Sequence, residues 1–128
     1  AADGERFIGL TVRSDNTWEY LGQTLKRPLK PAGCYRFSLS LAKAMGYSGY
    51  NKAVKIRIWG GSTKCDRSLL LGETKGINHT NWKKYEFIFA PSKPIKYITI
   101  EAYYVGKTPY KGNVLIDDLS NLEICIRA

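Results

Sequence analysis

Apolar and polar positions alternate with period two along most of the chain. The first such run is Arg6 to Arg13, with Ile8, Leu10 and Val12 on one side and Phe7, Gly9 and Thr11 on the other. Ser14-Asp15-Asn16 is a turn cluster. Thr17 to Leu25 reads as a second strand, with Trp18 and Tyr20 on one face and Glu19, Leu21, Gln23 and Leu25 on the other. Two prolines and a glycine make Lys26 to Gly33 a connector. The cleanest alternation runs from Cys34 to Leu41. There Tyr35, Phe37, Leu39 and Leu41 oppose Cys34, Arg36, Ser38 and Ser40. Such a strand turns one face to a core and the other to solvent or a binding cleft.

A loop over Lys43 to Lys52 carries Gly46, Tyr47, Gly49 and Tyr50. The next strand, Ala53 to Trp59, sends Val54, Ile56 and Ile58 inward and Lys55, Arg57 and Trp59 outward, and Gly60-Gly61-Ser62 ends it. Cys65-Asp66-Arg67 lies in a loop before a short apolar run, Leu69 to Leu71. After Trp82, Tyr85, Phe87 and Phe89 alternate with Glu86 and Ile88 as core positions of a further strand. Lys96 to Tyr104 sets Ile98, Ile100 and Ala102 against Tyr97, Thr99, Glu101 and Tyr103. A loop with Gly106, Pro109, Tyr110 and Gly112 leads to the last two strands, Val114 to Asp117 and Leu122 to Ile126. No segment reads as an amphipathic helix. Eight or nine short strands between Gly/Pro/Asn turns predict an all-β fold. Their spacing favours a two-sheet antiparallel β-sandwich of jelly-roll type.

The 128 residues suit one domain able to bury about two thirds of its unfolded surface. With 44% hydrophobic and 24% charged residues, general disorder is excluded. No apolar run reaches the roughly 18 residues of a membrane-spanning helix. The chain opens on Ala-Ala-Asp-Gly with a strand close behind, which reads as a domain excised from a larger secreted or envelope protein. Twenty Lys and Arg against eleven Asp and Glu give a net charge of +9. That charge favours an acidic partner: polysaccharide, anionic lipid or nucleic acid. The basic residues are scattered, without the dense runs of nucleic-acid binders, and they serve equally as a solubilising surface.

Three cysteines are present: Cys34, Cys65 and Cys125. If the strands beginning at Cys34 and Ala53 pair as an antiparallel hairpin, Cys34 and Cys65 meet. A Cys34–Cys65 disulfide is therefore expected, with Cys125 a buried thiol and an oxidising compartment implied. Three reduced, buried cysteines would also suit core strands. Zinc is disfavoured, because there is no C-x-x-C and His79 is the only histidine.

Signals for catalysis are weak. His79, inside an Asn78-His79-Thr80 sequon, reads as a turn residue, and no nucleophile elbow or phosphate loop is found. Glu19, Glu73, Glu86, Glu101, Asp117 and Asp118 could supply a glycosidase pair, yet nothing in the sequence brings two together. Aromatic residues are the better lead: three Trp and nine Tyr. Their flat faces suit the apolar C–H faces of sugar rings, and their polar ends hydrogen-bond. The outward set Lys55, Arg57 and Trp59, with Glu101 and Tyr103 and a neighbouring strand bearing Arg36, Ser38 and Ser40, is a candidate glycan face. Tyr47, Tyr50 and Tyr110 are candidate rim residues. The same set could be plain surface or half of a protein interface.

Several segments then form a recognisable series. Trp18-Glu19-Tyr20-Leu21-Gly22-Gln23-Thr24-Leu25 is followed by Pro28-Leu29 and Ala32-Gly33-Cys34-Tyr35-Arg36-Phe37-Ser38-Leu39. Ile56-Arg57-Ile58-Trp59-Gly60-Gly61, Trp82-Lys83-Lys84-Tyr85-Glu86-Phe87 and Gly112-Asn113-Val114-Leu115-Ile116-Asp117-Asp118-Leu119 complete it. This order resembles the galactose-binding-like jelly roll, in particular carbohydrate-binding modules of families four and nine and related bacterial cell-envelope domains. The resemblance implies a noncatalytic sandwich that holds glycan on one sheet face through Trp59, Arg57, Arg36, Glu101 and Tyr103. It also implies a structural calcium ion with Asp117 as one ligand, other ligands coming from the N-terminal segment, here Ala1–Glu5. The expected protein is an extracellular, cell-surface or periplasmic module for an anionic polysaccharide, without nucleic-acid specificity. The alternative is a structural or adhesion domain of an envelope protein, contacting other domains of its parent.

Overall fold

The computed structural model describes residues 7–46 and 48–125. Among them are ten strands and no helix. β1 (Ile8–Val12), β3 (Tyr35–Ala42), β4 (Lys52–Ala53), β7 (Lys83–Phe89), β9 (Gly112–Asp117) and β10 (Glu123–Ile124) form one sheet. β2 (Tyr20–Leu29), β5 (Lys55–Gly61), β6 (Leu69–Glu73) and β8 (Ile95–Tyr103) form the second, in the order β2-β8-β5-β6. All pairings are antiparallel except the short one between β4 and β9. The result is the two-sheet β-sandwich that the alternation predicts.

Period two decides what lies between the sheets. Leu39, Leu41, Ile56, Ile58 and Val114 are fully buried there, with Phe37 stacked on Phe87 at 5.3 Å. Each such side chain contributes roughly 1.5–3 kcal/mol of burial. The strand limits depart most from expectation in three places. β2 starts at Tyr20 and runs to Leu29 through an irregularity after Thr24, so Lys26, Arg27 and Pro28 belong to the strand and not to a connector. A proline is tolerated there because β2 is an edge strand. Ala53–Trp59 is split: Ala53 pairs with β9 in the first sheet, β5 joins the second, and Val54 between them bridges to Ile77. The last strand is only Glu123–Ile124, and Ile126 lies outside the described residues.

The expected Cys34–Cys65 disulfide is overturned; the bond joins Cys34 to Cys125. The hairpin premise fails because β3 and β5 lie in different sheets. β10 pairs with β3 through Ile124 opposite Tyr35, so one further step along this antiparallel ladder sets Cys125 against Cys34. The Cys125 N–H donates to the Cys34 carbonyl at 2.9 Å, and the two Cα atoms are 5.1 Å apart. Cys125 is thus no free thiol, and Cys65 is the exposed one.

A sequence separation of 91 makes this a long-loop crosslink, stabilising by about 4–5 kcal/mol in the chain-entropy view. Replacing both Cys34 and Cys125 by Ser is expected to lower the thermal midpoint strongly, whereas Cys65→Ser leaves it nearly unchanged. Non-reducing peptide mapping of native protein treated with iodoacetamide should recover the Cys34–Cys125 link and alkylated Cys65.

Candidate binding face

The pairing registers arrange the outward face of the four-stranded sheet in rows. One row runs Tyr20, Glu101, Arg57, Glu73 across β2, β8, β5 and β6. The next is Gly22, Thr99, Trp59, Leu70, and on the other side Tyr103 stands opposite Lys55. Directly paired residues share a face, so alternation within β5 and β8 is enough to gather these side chains.

Glu101 is the centre. It is only 2% exposed although it points away from the core. Its Oε1 accepts the Trp59 indole N–H at 2.9 Å, and its Oε2 accepts the Trp18 indole N–H at 2.8 Å. Arg67 Nη1 lies 3.0 Å from Oε2. Arg57 Nε stands 3.6 Å from both Glu101 Oε1 and Glu73 Oε2, and Lys55 Nζ is 3.0 Å from Glu73. A buried carboxylate needs such company, since an unpaired charge out of water is costly.

Rings and cations interleave around this centre. The Arg57 guanidinium lies over the Tyr103 ring at 3.5 Å, and Tyr103 meets Trp18 edge-on at 5.0 Å. Arg67 covers the Tyr20 ring at 4.7 Å. Arg67 arrives from the loop that follows β5. Asp66 holds that loop by accepting the Ser62 N–H at 3.0 Å and the Ser62 and Ser68 hydroxyls at 3.3 Å. Gly61 is required beneath it, because a Cβ there would come within 2.2 Å of the Asp66 carbonyl oxygen. The hydrogen bond from the Ser62 N–H is the main reason the Asp66 carboxyl titrates below its ordinary value. With their indole nitrogens committed to Glu101, Trp18 and Trp59 offer ring surface, not donors. Tyr20, Leu70 and Glu73 are the exposed members, while Trp59, Arg57 and Arg67 are half-buried.

The structure therefore brings together Trp59, Arg57, Glu101 and Tyr103 of the expected set. Arg36 is separated from them: β3 belongs to the other sheet, where Arg36 pairs with Glu123 at 3.8 Å. Ser38 and Ser40 go with it. Tyr47 lies outside the described residues. Tyr50 sits beside Lys111, which is 5.6 Å from its ring, and its carbonyl accepts from Asn113. The Tyr110 hydroxyl donates to Ala53 O and accepts from the Val105 N–H, both at 2.7 Å, so it braces a loop. Among the described residues its ring meets the cluster through Tyr104. Asp117 lies on β9 opposite Ser40. No group of three or more His, Cys, Asp or Glu among the described residues could hold a metal, and residues 1–5 lie outside them. His79 bonds Asn81 O at 2.7 Å and the Tyr85 hydroxyl at 2.8 Å, as a turn brace would. Glu73 and Glu101 do flank one position, yet the Arg57 cation stands between them. Trp18, Tyr20 and Arg67 were not expected here. Trp18 and Tyr20 share one face in the sequence pattern, but Arg67 carries no local signal.

Replacing Glu101 with Gln would leave two guanidiniums without their shared counter-charge and is expected to cost about 3 kcal/mol in chemical denaturation. Acid acts on Asp66. Its folded-state value lies below the ordinary 3.8, so its contribution is complete above that value and is lost as pH falls below it. Amide exchange in residues 62–68 should therefore accelerate at the acid end before the sheets open, and Asp66→Asn should abolish that pH dependence.

No protein-family model matches the chain, and no curated protein matches it. Solved structures do. A "CBM4 structure and function" structure aligns with TM-score 0.59 at 9% identity, over 92% of this chain and 83% of that one. The K3 cleaved adhesin domain of Lys-gingipain (Kgp) from Porphyromonas gingivalis w83 aligns with TM-score 0.53 at 10% identity, over 88% and 71%. At such identities the likeness is one of fold, and it places the chain among jelly-roll β-sandwiches.

Proposed function

We propose that the chain is a noncatalytic binding domain of a secreted or envelope-exposed protein and takes glycan on the Trp59 face of its four-stranded sheet. The observation that carries this reading is the fastening of Trp59 and Arg57 around buried Glu101, which holds a half-exposed ring beside cationic groups. A sugar stacks on Trp59 and Tyr20, while Arg57 and Arg67 turn their free N–H groups to its oxygens. A rigid platform loses little side-chain entropy on binding. The net charge of +9 favours an anionic polysaccharide. The disulfide supports an oxidising compartment, periplasmic or extracellular. Likeness to a carbohydrate-binding module and to an adhesin domain agrees with both sugar binding and adhesion. An adhesion reading without sugar draws on the filling of this face by Glu101, Thr99 and Tyr97, which leaves the exposed surface narrow.

On a glycan array the wild type should select acidic saccharides, with binding that weakens as salt rises. Trp59→Ala is expected to lose it. The same change removes a donor from a buried carboxylate and should cost about 1–3 kcal/mol of stability. Tyr20→Ala, which breaks no bond to Glu101, should weaken binding with the fold intact. An empty array for the wild type would replace the glycan reading with adhesion, and full binding by both variants would move the sugar off the Trp59 face.

A further inference from the structure

The flank of the sandwich at β2 differs from the Trp59 face. β2 pairs only with β8, so among the described residues its other backbone edge has no strand partner. Sheet edges are usually blunted by charge or proline. Here Tyr20-Leu21-Gly22-Gln23-Thr24-Leu25 is uncharged and proline-free, and the first charges come at Lys26-Arg27. Beneath this edge a cavity of about 360 Å³ opens between the sheets. Leu21, Leu25, Phe37, Ile98 and Ile100 form its wall. Ile8 and Leu119 also line it and are 47% and 51% exposed. Gly22, at an outward-facing position, lines it as well, so the opening reaches the strand backbone. No charged side chain lies in the lining.

We propose that this flank binds an extended segment of a partner polypeptide, which adds a fifth strand beside β2 and inserts alternate apolar side chains into the cavity. The backbone edge selects an extended chain, since it offers donors and acceptors in strand register. The cavity selects aliphatic side chains at every second position. Charge selects the flanking residues. Lys26, Arg27 and Lys96 are exposed at the far end of the edge, and none has an acidic partner among the described residues. A segment antiparallel to β2 would therefore carry Asp or Glu at its N-terminal end. A second copy of this chain fits less well, because β2 itself has no Asp or Glu to offer Lys26 and Arg27 and each copy carries a net charge of +9.

The probe is a blocked, fluorescein-labelled peptide, Glu-Asp-Val-Thr-Val-Thr-Val, followed by anisotropy and by hydrogen exchange. Saturable binding is expected, with amides of residues 21–24 becoming protected. Leu21→Lys places a charge at the cavity and should weaken binding by roughly tenfold or more. The double change Lys26→Glu with Arg27→Glu, on exposed positions, should weaken it severalfold, with the loss shrinking at high salt. Trp59→Ala should leave peptide binding unchanged, which separates this site from the glycan face. Circular dichroism confirms that each variant is folded. Absence of saturable binding to the wild type overturns the proposal, as does affinity indifferent to Leu21→Lys. A concentration-dependent dimer that Leu21→Lys dissolves and that excludes the peptide also overturns it, in favour of a second copy.

Discussion

A charged carboxylate cannot stay dry without partners, and Glu101 is dry on the side of its sheet that faces away from the core. Its partners come from three places: Trp18 from the segment entering β2, Trp59 and Arg57 from β5, and Arg67 from the loop after β5. One side chain on β8 thus fastens its neighbours on both sides as well as a loop. The fastening is directional, because each indole has one N–H and each carboxylate oxygen a preferred approach. Backbone pairing alone would leave these rings free to rotate. Glu101 takes that freedom away during folding, before any ligand arrives.

Arginine suits this arrangement better than lysine would. The planar Arg57 guanidinium lies against Tyr103 while its Nε faces two carboxylates. A lysine ammonium could neutralise Glu101 but could not spread over a ring. The same side chain therefore joins the electrostatic and aromatic parts of the face. Lys55, by contrast, reaches Glu73 near the rim, where a hydrated point charge is adequate.

The faces of individual strands were legible in the sequence, and their lateral order was not. Alternation placed Lys55, Arg57 and Trp59 opposite Ile56 and Ile58 correctly, because period two is local and burial of Ile56 and Ile58 enforces it. It could not say which sheet a strand joins. Arg36 was expected beside Arg57 for that reason, and Cys34 beside Cys65. Both errors come from reading consecutive strands as neighbours, whereas β3 receives β7, β9 and β10, all later in the chain. The Cys34–Cys125 bond depends on a two-residue strand too short to show a period. Arg67 was illegible for a related reason: its position follows from a loop fixed by Asp66 and Gly61, not from a repeating pattern.

The two sides of β2 therefore present different kinds of surface. Toward β8, Tyr20 sits in a row whose polar groups are already bound to one another, so a ligand there meets ring faces and the remaining N–H groups of fixed arginines. Away from β8, the strand offers backbone with no strand partner among the described residues, and a largely apolar cavity. The outer strand β7 carries Lys83, Lys84 and Glu86, charges that guard it against an added strand, and β6, the other edge of the four-stranded sheet, ends on Glu73. β1, an end strand of the first sheet, is likewise uncharged, but its Thr11 is hydrogen-bonded to Glu19, whereas β2 between Tyr20 and Leu25 has neither charge nor proline at its edge. An apolar side chain reaching that cavity would also bury Ile8 and Leu119, which the folded chain leaves half in water. Burial of this kind is favourable in proportion to the apolar area removed from solvent, so the flank gains from being covered, whereas on the other face the Glu101 carboxylate is held from within the chain and the buried Arg57 Nε, Arg67 Nε and Thr99 Oγ1 are left without a hydrogen bond.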